Sequence, residues 1–123
     1  MPKRILVVDD DQDILEILGL ILEDDGYEVV LSNTGVSVEQ VDSLNPDLVL
    51  LDERISGFEK RGNEICAEIR QVYKSNELPV ILISAERDVQ SLSKICGANK
   101  FIKKPFDIED MLHVIRGVLA VNC

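Results

Sequence analysis

Short, continuous apolar runs alternate along the chain with longer segments whose apolar residues recur every three or four positions. The runs predict strands over Arg4–Val8, Tyr27–Leu31, Asp47–Leu51, Pro79–Ile83 and Lys100–Ile102. Three of them, Ile5–Val8, Leu48–Leu51 and Val80–Ile83, are apolar at every position. A strand with one wet face would alternate, so these are expected to be covered on both faces, as in a parallel sheet. The run at residues 27–31 is more mixed and fits an edge. Ile14, Leu15, Leu18, Ile21 and Leu22 make a helical stripe, with Gly26 as its stop signal. Val38, Val41 and Leu44 predict a short helix before Pro46. Ile65, Ile69, Val72 and Tyr73 share a helical face, and Val89, Leu92 and Cys96 share another that ends at Gly97. The most regular amphipathic stripe is Ile108, Met111, Leu112, Ile115, Val118 and Leu119, with Asp107 as its N-cap.

The order is strand–helix repeated five times. That alternation predicts a doubly wound α/β fold, a parallel sheet with helices on both faces and right-handed crossovers. No repeat or linker divides the 123 residues, so residues 1–123 are read as one domain. Hydrophobic residues at 46% suffice for one core. The longest unbroken apolar stretch, Ile17 to Leu22, is far below the ~20 residues of a membrane helix. The apolar part of the N-terminus stops at Asp9, too short for a signal peptide. These features predict a cytoplasmic protein with no membrane insertion. Thirteen basic against 23 acidic side chains leave a net charge of −10, which repels phosphate backbones and predicts no direct nucleic-acid binding. Cys66, Cys96 and Cys123 match no zinc spacing or disulfide framework and read as buried or incidental thiols of a reducing compartment. His113 is the only histidine and has no metal-ligand spacing around it.

In such folds, ligands bind at the carboxyl ends of the strands. Those ends carry Asp9, Asp10 and Asp11, then Asp52 and Glu53, then Ser84 and Ala85, then Lys103, Lys104 and Pro105. Carboxylates drawn together repel by roughly 4 kcal/mol per pair at 4 Å and an effective dielectric of about 20. Such a group must take up protons, gain a counter-charge or bind a metal. Hard oxygen donors at an open site favour Mg²⁺, and Lys104 adds positive charge. A carboxylate in that setting can act as a nucleophile toward a phosphoryl group, with Ser84 donating to one of its oxygens. Asp11 and Asp13 read instead as charges of the first helical turn.

With these residues in place, the sequence resembles the receiver domains of two-component response regulators, chemotaxis-regulator-like proteins, from Lys3 to about Leu119. The resemblance is carried by ILVVDDDQDIL, NPDLVLLDERISG, LPVILISA and FIKKPFD. Each segment alone is common; their order, at successive strand ends, is not. The resemblance implies a flavodoxin-like (βα)5 fold with strand order 2-1-3-4-5. It implies that Asp52 is the phosphoacceptor and that Asp9 and Asp10 hold Mg²⁺, Asp10 directly and Asp9 through water. The Arg54 backbone carbonyl and Asp52 itself would complete the protein ligands. Ser84 and Phe101 would be the switch residues, Lys104 the phosphate-contacting lysine, and Lys104–Pro105 a cis peptide. Phe101 lacks the hydroxyl of the tyrosine common at its position.

The sequence departs from the family pattern after Asp52. Ile55-Ser56-Gly57 replaces a Met-Pro-Gly signature, and Glu59, Lys60 and Arg61 lengthen the loop before Gly62. The stretch from Ser84 to Gly97 is about two residues shorter than expected, which predicts a short or shifted helix there. Arg54 and Glu86 are expected to pair across the pocket mouth. The implied function is a phosphorylation-dependent switch. A sensor histidine kinase or phosphotransfer protein would be the donor, and a downstream protein target or attached output domain the recipient of the signal. The domain would catalyse only its own phosphorylation and dephosphorylation. Two other readings compete. A phosphorylation-independent interaction module would be expected to have lost an acidic residue, the acceptor or the lysine, and none is lost. A small Mg²⁺-dependent aspartyl-phosphate phosphohydrolase of haloacid-dehalogenase type would carry a second Asp where Arg54 stands.

Overall fold

A computed structural model describes residues 2–55, 60–85 and 96–121. Its elements are β1 (Arg4–Val8), α1 (Gln12–Asp24), β2 (Glu28–Ser32), α2 (Val38–Leu44), β3 (Leu48–Asp52), α3 (Gly62–Val72), β4 (Val80–Ser84), β5 (Lys100–Lys103) and α4 (Ile108–Val121). The five strands form one parallel sheet in the order β2-β1-β3-β4-β5, as the family resemblance implies. The helix expected over Val89–Cys96 lies outside the described residues, except for Cys96 at its end.

Two cores explain the unbroken apolar strands. Ile5, Val7, Leu48, Leu50, Ile81 and Ile83 point to one face, where Leu15, Leu18 and Leu22 of α1 and Met111, Ile115 and Leu119 of α4 cover them. Leu6, Val8, Val49, Leu51, Val80 and Leu82 point to the other, against Val41 of α2 and Ile65, Cys66 and Ile69 of α3. Successive side chains alternate faces, so a strand covered on both must be apolar throughout. β2 is an edge, with its second and third residues only half-buried.

Local chemistry sets the helix ends. The Asp11 carboxylate caps α1 by accepting from the N–H groups of Asp13 and Ile14, and Gly26 follows the helix at φ +94°. The short α2 is held at both ends, by a capping box between Ser37 and Gln40 and by Asn45 in the left-handed region. Asp107 accepts from the N–H groups of Glu109 and Asp110 before α4, as expected of an N-cap.

Two positions depart from the predicted stripes. Val72 is 60% exposed and Ile108 41% exposed. Val72 closes α3, and Tyr73 is already extended, so the helical period no longer governs that end. Ile108 opens α4, where the first turn has not yet reached the sheet. The predicted strands β2, β3 and β4 are each shifted one residue toward the C-terminus, which makes Asp52 and Ser84 the last residues of their strands.

Candidate functional site

Register assembles the site. Val8 lies opposite Leu51, so the next residues, Asp9 and Asp52, emerge side by side. Asp52 lies opposite Ile83, and Ser84 opposite Lys103, which places Ser84 and Lys104 at the same edge. Asp9, Asp52 and Ser84 are all buried, at 2%, 5% and 2% exposure. Asp10 is the more open member of the acidic group. One carboxylate oxygen from each of Asp9, Asp10 and Asp52 lies within 4.8 Å of the others. The Lys104 ammonium is 3.3 Å from Asp9 Oδ2 and 3.3 Å from Asp52 Oδ1. Asp9 is itself held in place, because its Oδ1 accepts the Asp11 N–H at 2.9 Å. The Lys104–Pro105 peptide is cis.

These contacts set the electrostatics. Burial, then the negative charge of Asp9, pushes the Asp52 carboxyl up to about 6 against the pull of Lys104. Burial works against the charged form of Lys104, but the Asp52 and Asp9 carboxylates outweigh it and raise its pKa. Three carboxylates facing one lysine, with Asp52 held above its ordinary range, leave negative charge uncompensated. That donor set fits a small divalent cation bound through oxygen.

Asp9, Asp10, Asp52 and Lys104 come together as the sequence predicts, with Ser84 beside them at the end of β4. Phe101 lies on β5 three residues before Lys104 and is 39% exposed. Arg54 follows Asp52 at the surface. Its expected partner Glu86, like Ser56, Gly57 and Glu59, lies outside the described residues.

The sequence reading missed a clasp behind Asp52. Glu53 is fully buried. Its Oε1 accepts the Asn63 N–H at 2.7 Å, its backbone carbonyl accepts the Gly62 N–H at 2.8 Å, and its Oε2 lies 3.8 Å from Arg61 Nε. The end of β3 is thereby fastened to the first turn of α3. A side chain at Gly62 would place its Cβ 2.2 Å from the Asp52 carbonyl oxygen. The signal was present in the sequence as a glutamate following an apolar strand and a glycine opening a helix. Neither has meaning until β3 and α3 are known to touch.

The fold is doubly wound and flavodoxin-like, with an acidic cluster and a facing lysine at the carboxyl edge of its sheet. The family described as the response regulator receiver domain matches residues 5–116, and the chain belongs to that family. Its members are regulatory domains of two-component systems. The chain is similar to the response regulator MprA of a Mycobacterium species, with 34% identity over 97% of this chain and 51% of that protein. It is also similar to the DNA-binding dual master transcriptional regulator RpaA of Synechocystis, with 32% identity over 94% of this chain and 48% of that protein. A solved receiver domain protein from Methanospirillum hungatei, described as CheY-like, matches with a TM-score of 0.83 at 26% identity, covering 99% of this chain and 97% of that one. The chain spans about half the length of the curated relatives it matches. Among the described residues, no helix is long and apolar enough to cross a membrane.

Proposed function

We propose that residues 1–123 form one receiver unit that accepts a phosphoryl group on Asp52 and thereby changes its affinity for a partner. The carrying observation is the Lys104 ammonium set 3.3 Å from both Asp9 and Asp52. It holds the Asp52 carboxylate in place and supplies positive charge where phosphoryl oxygens would come to lie. An Asp52 oxygen attacks the phosphorus of a phosphohistidine on a sensor kinase or phosphotransfer protein, and the imidazole nitrogen leaves. Asp9, Asp10, Asp52 and the Arg54 backbone carbonyl would hold Mg²⁺. When bound, that ion neutralises charge on the transferring group. Ser84 donates its hydroxyl to a phosphoryl oxygen, and Lys104 pairs with another. The movement of Ser84 toward the phosphate and a rearrangement of Phe101 on β5 shift the population toward a second state of the neighbouring surface.

The recipient of the signal is a downstream protein target or an attached output domain. RpaA is named as DNA-binding, and this chain spans 48% of it. At a net charge of −10 this chain repels a phosphate backbone, so the contacts proposed for it are with protein. The compartment proposed is the cytoplasm.

Intact-protein mass after incubation with acetyl phosphate tests the reading, with and without Mg²⁺ and with Asp52→Asn as control. One phosphoryl adduct that needs both Mg²⁺ and Asp52 is the expected result. A folded protein that takes up no phosphoryl group from acetyl phosphate or a histidine kinase would overturn the switch. Turnover of an external phosphomonoester would make the protein an enzyme instead.

A further inference from the structure

Two of the three cysteines, thirty positions apart in sequence, meet in the core on the α3 side of the sheet. Cys66 is on α3 and Cys96 stands immediately before Gly97 on the approach to β5. The Cys66 Sγ lies 3.5 Å from the Cys96 carbonyl oxygen, and the two buried side chains belong to the same core cluster. The approach to β5 is gripped a second time one helical turn further on. Arg70 Nε donates to the Gly97 carbonyl at 2.7 Å, and its Nη2 donates to Asn99 Oδ1. A Cβ at Gly97, whose φ is +85°, would lie 2.9 Å from Arg70 Cγ. The backbone carrying Cys96 is therefore docked against α3 at consecutive residues.

We propose that Cys66 and Cys96 form a peroxide-oxidisable dithiol that closes to an intramolecular disulfide linking α3 to the segment entering β5. Disulfide formation requires Cβ atoms about 4 Å apart, and closure needs the Cys66 sulfur, already in contact with the Cys96 backbone, to turn from that carbonyl to the Cys96 sulfur. Cys96 is attacked first. It keeps 4% exposure where Cys66 keeps none. It is also the more acidic sulfur, because its neighbour Cys66 lowers it while Cys96 and burial raise Cys66.

The Cys96 sulfur takes one oxygen of hydrogen peroxide. The O–O bond breaks, and hydroxide leaves and becomes water with the thiol proton. The Cys66 sulfur then attacks the Cys96 sulfenic acid. The S–S bond forms, the S–O bond breaks, and the hydroxyl leaves with the Cys66 proton as a second water. Two thiols lose two electrons, and one peroxide is reduced to two waters. None of this depends on the phosphoryl chemistry of Asp52.

The test uses the full chain with Cys123→Ser, so that the pair is the only source of thiols. The folded protein is treated with hydrogen peroxide, quenched, unfolded and alkylated with N-ethylmaleimide. The expected result is a fall from two alkylatable thiols to none, and a mass lower by two hydrogens. Protease digestion should release peptides joined through Cys66 and Cys96 that dithiothreitol separates. With Cys66→Ser added, Cys96 is expected to be trapped by dimedone as its sulfenic acid. Two thiols still alkylatable after peroxide, oxygen adducts without a bridge, or a bridge only between two copies of the chain would each overturn the proposal. So would a bridge that forms only in urea-unfolded protein.

Discussion

Burial and a neighbouring charge make the ionised form of Asp52 costly. Burial and the neighbouring Asp9 charge lift its carboxyl from 3.8 to about 6. The folded chain therefore binds a proton at Asp52 more tightly than the unfolded chain does. The contribution of this group to stability is greatest below about pH 4 and is lost as pH rises through about 6. That loss is about 3 kcal/mol without a bound cation, from roughly 1.4 kcal/mol per pH unit of displacement. Asp52→Asn removes the charge and keeps the shape. In the absence of divalent ions, the variant is expected to be more stable than the parent near pH 7.5, and the difference is expected to vanish near pH 4. The chain has no tryptophan, so urea unfolding followed by circular dichroism is the appropriate measurement. Equal stability of the two proteins at both pH values would mean that Asp52 is not strained by its site.

At the scale of elements, the junction of β3 and α3 decides how Asp52 is presented. Gly62 lets the first turn of α3 press on the Asp52 carbonyl, and Glu53 fastens that turn from below. Gly62→Ala puts a methyl group where backbone atoms already stand. It is expected to cost about 2 kcal/mol or more, the scale of overpacking in a rigid site. Acceptor geometry shifts with it, so phosphorylation by acetyl phosphate is also expected to slow. A variant with parental stability and parental phosphorylation rate would show that the β3–α3 contact is not rigid. The ends of the segment between these elements are held by Glu53 and by an ion pair of Lys60 with Glu68.

For the whole molecule, the acidic cluster would couple binding of a cation to folding. The three carboxylates converge only when β1 and β3 are paired. A cation that binds only the folded chain stabilises it by about 2.7 kcal/mol at a hundred times its dissociation constant. Mg²⁺ is therefore expected to raise the melting temperature near pH 7.5. The gain should shrink in Asp10→Asn, which removes the most open donor. A melting temperature indifferent to Mg²⁺ would remove the metal from the proposed mechanism. At the opposite end of the sheet, Arg70 ties α3 to the Leu78 carbonyl, to Gly97 and to Asn99, so the two ends of the fold are braced by different chemistry.

The sequence by itself determined the order of the elements, the two-sided burial of β1, β3 and β4, and the membership of Asp9, Asp10, Asp52, Ser84 and Lys104 in one edge of the sheet. Each of these follows from local periodicity, or from the rule that parallel strands expose their carboxyl ends together. Only the tertiary structure decided the rest. Glu53 was only the acid next to Asp52 at a strand end until α3 was seen to start above it. Cys66 and Cys96 read as buried or incidental thiols, and are buried, but their spacing matches no motif that would bring them together. Val72 and Ile108 read as core because the helical period continues on paper past the place where the sheet stops covering the helix. In each case the deciding fact is a contact between residues far apart in sequence. Periodicity carries no trace of such contacts, because it records which face a residue takes and not what that face meets.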